Sequence, residues 1–358
     1  MDFYKIFIIV CFVVIKDIIG LTINSFSPTG NGILGHSNLK LICSYTPAQN
    51  DFLYYIFIQA NISHAFVVIA TFSPPGSFDP VFAPGGNYLK DRVNLTNPTS
   101  SATQAIMTFN EIKCEDESQY KCVIGYDNSG GPQTTELTTS IVAKGNPAIP
   151  DTIPIMSPEQ GLEEGMNISF TCTGNLGKPA GRFRWTKYRG SVGTDYTGVT
   201  TTVVQMPGTC TYNGTSVFTT SLHAEDNKAV IRCSVDQELA APDTLYRETQ
   251  PESLVVYYKV RNIQVTKNPN HPSYAEGTGK ITLTCAADGN PLPTYKWYKQ
   301  SDMDTVLVNG STLVIGDLVK NNGSYACVAS NHFNGKYFNQ KALQQIKIDP
   351  NTTKPPVL

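Results

Sequence analysis

From Leu39 the run LKLICSY places apolar residues at every second position, the period of a strand with one face buried, and Cys43 falls on the apolar parity. The same alternation returns in DESQYKC ending at Cys122, in MNISFTC ending at Cys172, in AVIRC ending at Cys233, in ITLTC ending at Cys285 and in NNGSYAC ending at Cys327. Clusters of Gly, Pro and Asn interrupt the runs at intervals of about ten residues, which is the turn punctuation of antiparallel sheets. The pattern predicts an all-β chain with no helix longer than a turn.

The runs also repeat as pairs. Cys43 and Cys122 are 79 residues apart, Cys172 and Cys233 are 61 apart, and Cys285 and Cys327 are 42 apart. In the second and third pairs a tryptophan, Trp185 or Trp297, follows the first cysteine by about a dozen residues. Strands in two facing sheets that each point a thiol into the gap can close a disulfide there, with the indole packed on it. Each such bridge contributes roughly 4 kcal/mol in the chain-entropy account. Tyr120 and Tyr325 stand two residues before the second cysteine, where a hydroxyl reaches back to the preceding turn; Ile231 holds that position in the middle copy.

These residues, with Asp116-x-Ser118-x-Tyr120-x-Cys122 and Asn321-x-Gly323-x-Tyr325-x-Cys327, resemble the immunoglobulin superfamily. The resemblance implies three tandem immunoglobulin-like β-sandwiches: a V-type domain over 21–144, a C2-type domain over 146–256 and an I-set or C2-type domain over 257–349, with a tail over 350–358. It also implies a bridge from Arg92 to Asp116 in the first domain. That domain has no tryptophan in DFLYYIFIQAN, so Tyr55 or Phe57 is expected to fill the space against the disulfide. The V-C2-I order and the segments VIATFSPPG and DRVNLTNPTSSATQAIMTF resemble nectin and nectin-like adhesion ectodomains, although the loop at 123–131 departs from theirs. The junction AKGNPAIPDTIP reads as a semi-extended spacer, whereas VVYYKVRN passes almost directly from strand to strand.

Residues 1–20, with Lys5 before an apolar run from Ile6 to Ile15, read as a secretory signal peptide. Its removal takes away Cys11 and leaves eight of the nine cysteines in an oxidising compartment. Seven N-x-S/T acceptors, at Asn61, Asn94, Asn167, Asn213, Asn309, Asn322 and Asn351, fit the same secretory route. No later apolar stretch reaches bilayer length, so the expected product is secreted, or is the extracellular part of a receptor whose membrane segment lies further on.

Charged residues make up 16% of the chain and the net charge is -2, which lacks the basic footprint of nucleic-acid binding. The five histidines have no metal-ligand spacing, and no nucleophile elbow or phosphate loop occurs. The expectation is a binding protein with no enzymatic activity, no cofactor and no metal. Its partner would be a protein, another immunoglobulin-like ectodomain or a second copy in a homodimer. The other reading is a secreted immune-type protein that binds a microbial or parasite surface ligand. The first domain is the most reachable, with Tyr126 and Asp127 in one loop and Phe72, Phe78 and Phe82 in TFSPPGSFDPVF as expected contacts. Two cysteines are left over. Cys114 and Cys210 are expected on turns at apposed poles of the first two domains, where they would bridge each other; a bond to a second chain and free or differently paired thiols are the other outcomes.

Overall fold

A computed structural model describes residues 20–36, 38–250, 254–275, 279–316 and 322–349. The expected signal peptide up to residue 19 and the sequon at Asn351 lie outside the described residues. The described chain forms three successive β-sandwiches.

The first is built from β1 (Thr22–Thr29), β2 (Leu39–Thr46), β3 (Phe52–Ile62), β4 (Ala65–Phe72), β5 (Val81–Phe82), β6 (Val93–Thr96), β7 (Gln104–Phe109), β8 (Ser118–Asn128) and β9 (Gly131–Ile141). One sheet has the order β1-β2-β7-β6 and the other β5-β4-β3-β8-β9. The second sandwich contains β10 (Ile155–Ser157), β11 (Asn167–Gly177), β12 (Arg182–Arg189), β13 (Val192–Tyr196), β14 (Thr201–Gln205), β15 (Tyr212–Ser221), β16 (Val230–Asp236) and β17 (Tyr246–Glu248). Its sheets run β10-β11-β15-β14 and β13-β12-β16-β17. The third holds β18 (Tyr258–Asn268), β19 (Tyr274–Ala275), β20 (Ile281–Asn290), β21 (Thr294–Lys299), β22 (Val308–Asn309), β23 (Thr312–Ile315), β24 (Gly323–Phe333), β25 (Lys336–Ile346) and β26 (Ile348–Asp349). Here β18-β20-β23 faces β22-β21-β24-β25, and β19 pairs with β26 in parallel. A six-residue 3-10 segment at Pro84–Leu89 exceeds the single turn expected from the sequence.

Each sandwich is pinned by one inter-sheet disulfide, Cys43–Cys122, Cys172–Cys233 or Cys285–Cys327. Trp185 pairs in register with Cys233 and Trp297 with Cys327, and both indoles are fully buried. The first domain differs from expectation. Ile58 is the residue opposite Cys122, and Ile56, Ile58 and Ala60 are buried, while Tyr55 and Phe57 lie on the other parity of β3 and turn outward. Branched aliphatic side chains fill the core in place of an indole, together with Phe72, Met107 and Tyr120.

The turns before β8 and β16 are each tied by a buried carboxylate, Asp116 and Asp226. Arg92 reaches Asp116 with two hydrogen bonds of 2.6 and 2.9 Å and Glu115 with one of 2.8 Å. Tyr120 donates its hydroxyl to the Asp116 carbonyl at 2.8 Å, and burial raises its pKa, so the phenol stays a donor. In the second domain Ile231 cannot make that bond, and Asp226 gathers the turn differently. Its carboxylate accepts the His223 backbone N–H at 2.9 Å and lies 3.0 Å from Lys187 Nζ and 2.8 Å from Arg189 Nε. Burial pushes the Asp226 pKa up, but those donors and cations outweigh it and hold it below the usual carboxylate range.

The first junction is anchored along its length, unlike the free spacer its prolines suggest. Gly145 and Lys178 exchange two backbone hydrogen bonds of 2.8 Å, and the Ala148 and Asp151 N–H groups bond to the carbonyls of Asn175 and Thr173. Lys178 pairs with Glu117 at 2.6 Å and Lys144 with Glu238 at 2.8 Å. The structure joins Cys114, on the turn before β8, to Cys210, in the loop between β14 and β15, with Cα atoms 5.8 Å apart. The second junction is bound by non-covalent contacts: Asn334 Nδ2 donates to Glu163 and the Gly161 carbonyl, Arg261 pairs with Glu164, and the rings of Tyr257 and Phe333 stack at 5.7 Å.

Two outcomes follow for stability. The folded-state pKa of Asp226 lies below its unfolded value near ~3.9, so its contribution is complete above about pH 4 and is lost as pH falls through the folded pKa. Acid unfolding followed by circular dichroism should therefore flatten in Asp226→Asn, and that variant, which leaves Lys187 buried and unpaired, should lose about 3 to 5 kcal/mol at neutral pH. Secondly, peptide mapping without reduction should recover Cys114 linked to Cys210. The Cys114→Ser/Cys210→Ser pair should lower the stability of the two-domain unit by up to ~4.7 kcal/mol, the chain-entropy value for a loop near 100 residues. A covalent dimer lost on Cys210→Ser would assign the cysteines to different chains.

Candidate binding face of the first domain

The five-stranded sheet of the first domain turns one face to the core and leaves the other outward. Along β3 the outward residues are Tyr55, Phe57, Gln59 and Asn61. Their partners place Gly125, Val123 and Lys121 of β8 on one side and Thr71, Val68 and Phe66 of β4 on the other. The rings of Tyr55 and Phe57 stack at 4.1 Å with an interplanar angle of 16°. Gly125 permits this packing: a Cβ there would come within 2.4 Å of the Tyr55 ring. A flat aromatic platform results, flanked by Val68 and Val123 and bordered by the Lys121–Glu136 ion pair at 2.9 Å. The Lys121 ammonium also lies 4.7 Å from the Phe66 ring centre.

Burial sorts the five expected contact residues into core and surface. Phe72 is fully buried and Tyr126 is 8% exposed; both belong to the core cluster and are corrected from contact residues to packing residues. The reason is parity: Phe72 pairs with the buried Ile56, and Tyr126 continues the inward row of Tyr120, Cys122 and Ile124 on β8, its ring beside Gly20. Phe82 is partly buried against the same core. Phe78 is 85% exposed at the tip of the loop between β4 and β5. Asn97 fixes that loop, donating to the Phe78 carbonyl at 2.7 Å and accepting from the Ser73 N–H at 3.1 Å. Asp127 accepts a 3.0 Å hydrogen bond from the Tyr54 hydroxyl, which raises the pKa of that phenol, and its second oxygen is buried with no protein partner. Phe52, 65% exposed, packs edge-on against Tyr54 at 5.4 Å, so this rim is aromatic too.

Tyr55 and Phe57 are therefore the outward residues that sequence reasoning placed inside. The signal was only partial, since FLYYIFIQA puts Tyr55 and Phe57 on one parity but leaves Phe52 and Tyr54 on the other with Ile56, Ile58 and Ala60. Choosing between the parities required the register with Cys122.

The acceptor asparagines occupy different settings. Asn61 ends the outward row of β3, Asn94 is exposed on the opposite sheet, and Asn167, Asn309 and Asn322 are exposed. Asn213 lies on β15 within the cleft between the first two domains. Among the described residues there is no group of three His, Cys, Asp or Glu side chains that could hold a metal ion, and no helix long and apolar enough to cross a membrane.

Comparison with known proteins agrees with this architecture. Residues 154–243 match the CD80-like C2-set immunoglobulin domain and residues 264–331 match the immunoglobulin domain. Cell adhesion molecule 2 of Xenopus tropicalis is 30% identical over 234 residues, covering 63% of this chain and 49% of the relative. Cell adhesion molecule 3 of Xenopus laevis is 25% identical over 245 residues, covering 67% and 57%. The chain thus spans about half the length of these curated relatives. Among solved structures, the full ectodomain (Ig1–Ig3) of mouse nectin-like molecule 4 superposes with a TM-score of 0.52 at 18% identity, covering 90% of this chain and 98% of that one, a likeness of fold. Three disulfide-pinned sandwiches, immunoglobulin-domain matches over residues 154–243 and 264–331, and similarity to cell-adhesion molecules mark this as a chain of tandem immunoglobulin-like domains.

Proposed function

We propose that the chain is an extracellular recognition protein of the adhesion type, which binds another immunoglobulin-like ectodomain or a second copy of itself through the outward face of the first domain. The carrying observation is the Tyr55/Phe57 stack. Two aromatic rings held flat on a rigid sheet offer large apolar area at little entropic cost, and aromatic residues of this kind dominate the centres of protein interfaces. The exposed Phe78, Phe52 and Tyr54 extend that surface toward the loop end of the sandwich. A glycan on Asn61 would sit at the far end of the same row and one on Asn94 on the opposite sheet, so the platform between them stays open.

This reading describes a binding module without catalysis, and its secretory sequons and paired cysteines suit an extracellular site. The cell-adhesion relatives support it over recognition of a microbial ligand.

The test is self-association of the full chain by sedimentation velocity, together with binding to an array of immunoglobulin-like ectodomains. Tyr55→Ala/Phe57→Ala should weaken the detected complex by roughly 30-fold or more, the loss of one interface hot spot of about 2 kcal/mol, while folding is retained. Phe72→Ala should instead destabilise the first domain by about 3 to 5 kcal/mol through the cavity it leaves. Undiminished binding by the Tyr55/Phe57 variant would move the interface elsewhere.

A further inference from the structure

The first and second domains enclose a cleft of about 830 Å³. That is within the roughly 300–1,000 Å³ of small-molecule sites. One wall carries Cys114 of the bridge; Leu34 and Met206 supply apolar surface, and Asn146, Asn175 and Asn213 supply amides. Asn175 already accepts the Gly177 N–H through its side-chain oxygen, whereas no described residue hydrogen-bonds the side-chain amides of Asn146 or Asn213. Apolar patches beside free amides suit a ligand with both C–H faces and hydroxyls.

Asn213 is also the asparagine of Asn213-Gly214-Thr215. Asn213 and Thr215 share the outward parity of β15, while Gly214 is buried, where a Cβ would come close to the Leu176 side chain. Across the sheet Asn213 pairs with Asn175 on β11 and Val204 on β14, so a group attached to its amide starts inside the cleft. Asn167, Asn309 and Asn322 stand exposed on single domains.

We propose that the inter-domain cleft is a carbohydrate seat occupied by the chain's own N-linked glycan on Asn213, whose first sugars bridge the two domains beside Cys114–Cys210. The sugar arrives from a lipid-pyrophosphate-linked oligosaccharide. Asn213 Nδ2 forms the bond to C1 of the sugar as the C1–O bond to pyrophosphate breaks, and the amide proton leaves with the pyrophosphate. In the cleft the N-acetyl group and C–H face lie against Leu34 and Met206, and the hydroxyls meet the amides of Asn146 and Asn175. The glycan then works with the disulfide, the Lys178–Glu117 pair and the Gly145–Lys178 bridge to fix the angle at which the first domain presents its face.

The inference rests on the extracellular reading, and the experiment separates the two. The full chain secreted from animal cells is treated, without denaturation, with an amidase that cuts the Asn–sugar bond, and release at each site is followed by mass spectrometry. Asn213 should be released about tenfold more slowly than the exposed Asn167 and Asn322, and at the same rate after reduction and unfolding; tenfold corresponds to about 1.4 kcal/mol of contact. In Asn213→Gln and in Thr215→Ala, hydrogen exchange should rise at 112–115 and 206–211. Equal native release, or an empty Asn213 on a chain glycosylated at Asn167 or Asn322, overturns the seat alone. A chain without sugar at any acceptor overturns the extracellular reading with it.

Discussion

The sulfur bridge between facing sheets is the constraint on which the rest of this molecule depends. Each bridge fixes the separation of two sheets and, with it, which parity of every neighbouring strand points inward. In the second and third domains an indole opposite the second cysteine completes the packing. The two are not equivalent: Trp185 donates to the Ser216 hydroxyl at 3.0 Å, while the Trp297 N–H is buried without a protein partner. In the first domain Ile58 takes the indole's place. An isoleucine is smaller, and the space is shared with Phe72, Met107 and Tyr120 from other strands. Filling the core with aliphatics releases the aromatics of β3 to the outside.

That release links core packing to recognition. Tyr55 and Phe57 can stack on the outer face because Ile56 and Ile58 face the core, and because Gly125 leaves room beneath the Tyr55 ring. The proposed binding face is thus the reverse side of the same strand that packs on the disulfide. Its rigidity comes from the ladders on both flanks, β4 on one side and β8 on the other, so little conformational entropy is lost when a partner covers it.

The domains are joined as firmly as they are built. At the first junction a disulfide, two ion pairs and a hydrogen-bonded linker act together; at the second, Asn334, Arg261 and the Tyr257/Phe333 stack do the same. Surface ion pairs of this kind contribute little singly, about 0 to 1 kcal/mol each. Their effect here lies in combination with backbone hydrogen bonds and, at the first junction, a covalent link. A buried carboxylate in the turn before each F-type strand of the first two domains performs a similar task locally, through Arg92 on Asp116 and through Lys187 and Arg189 on Asp226.

Much of this was legible in the sequence, because its signals are local. Period-2 alternation around each cysteine, the spacing of the pairs, Trp185 and Trp297, and the tyrosines at 120 and 325 define the strands and the sandwich class without reference to long-range contacts. The residues of the proposed binding face were less legible. Alternation says that two parities of β3 differ but not which one is buried, and the register of Ile58 with Cys122 settled it against the expected placement of Tyr55 and Phe57. Likewise Phe72 and Tyr126 read as surface aromatics until pairing and strand parity placed them inside. The prolines of the first junction predict a semi-extended spacer and say nothing of the β11 carbonyls that capture the linker. What depends on a residue and its near neighbours was written in the chain; what depends on which strand lies beside it, and on which domain pole meets which, was decided by tertiary packing, because those distances close only when the sheets do.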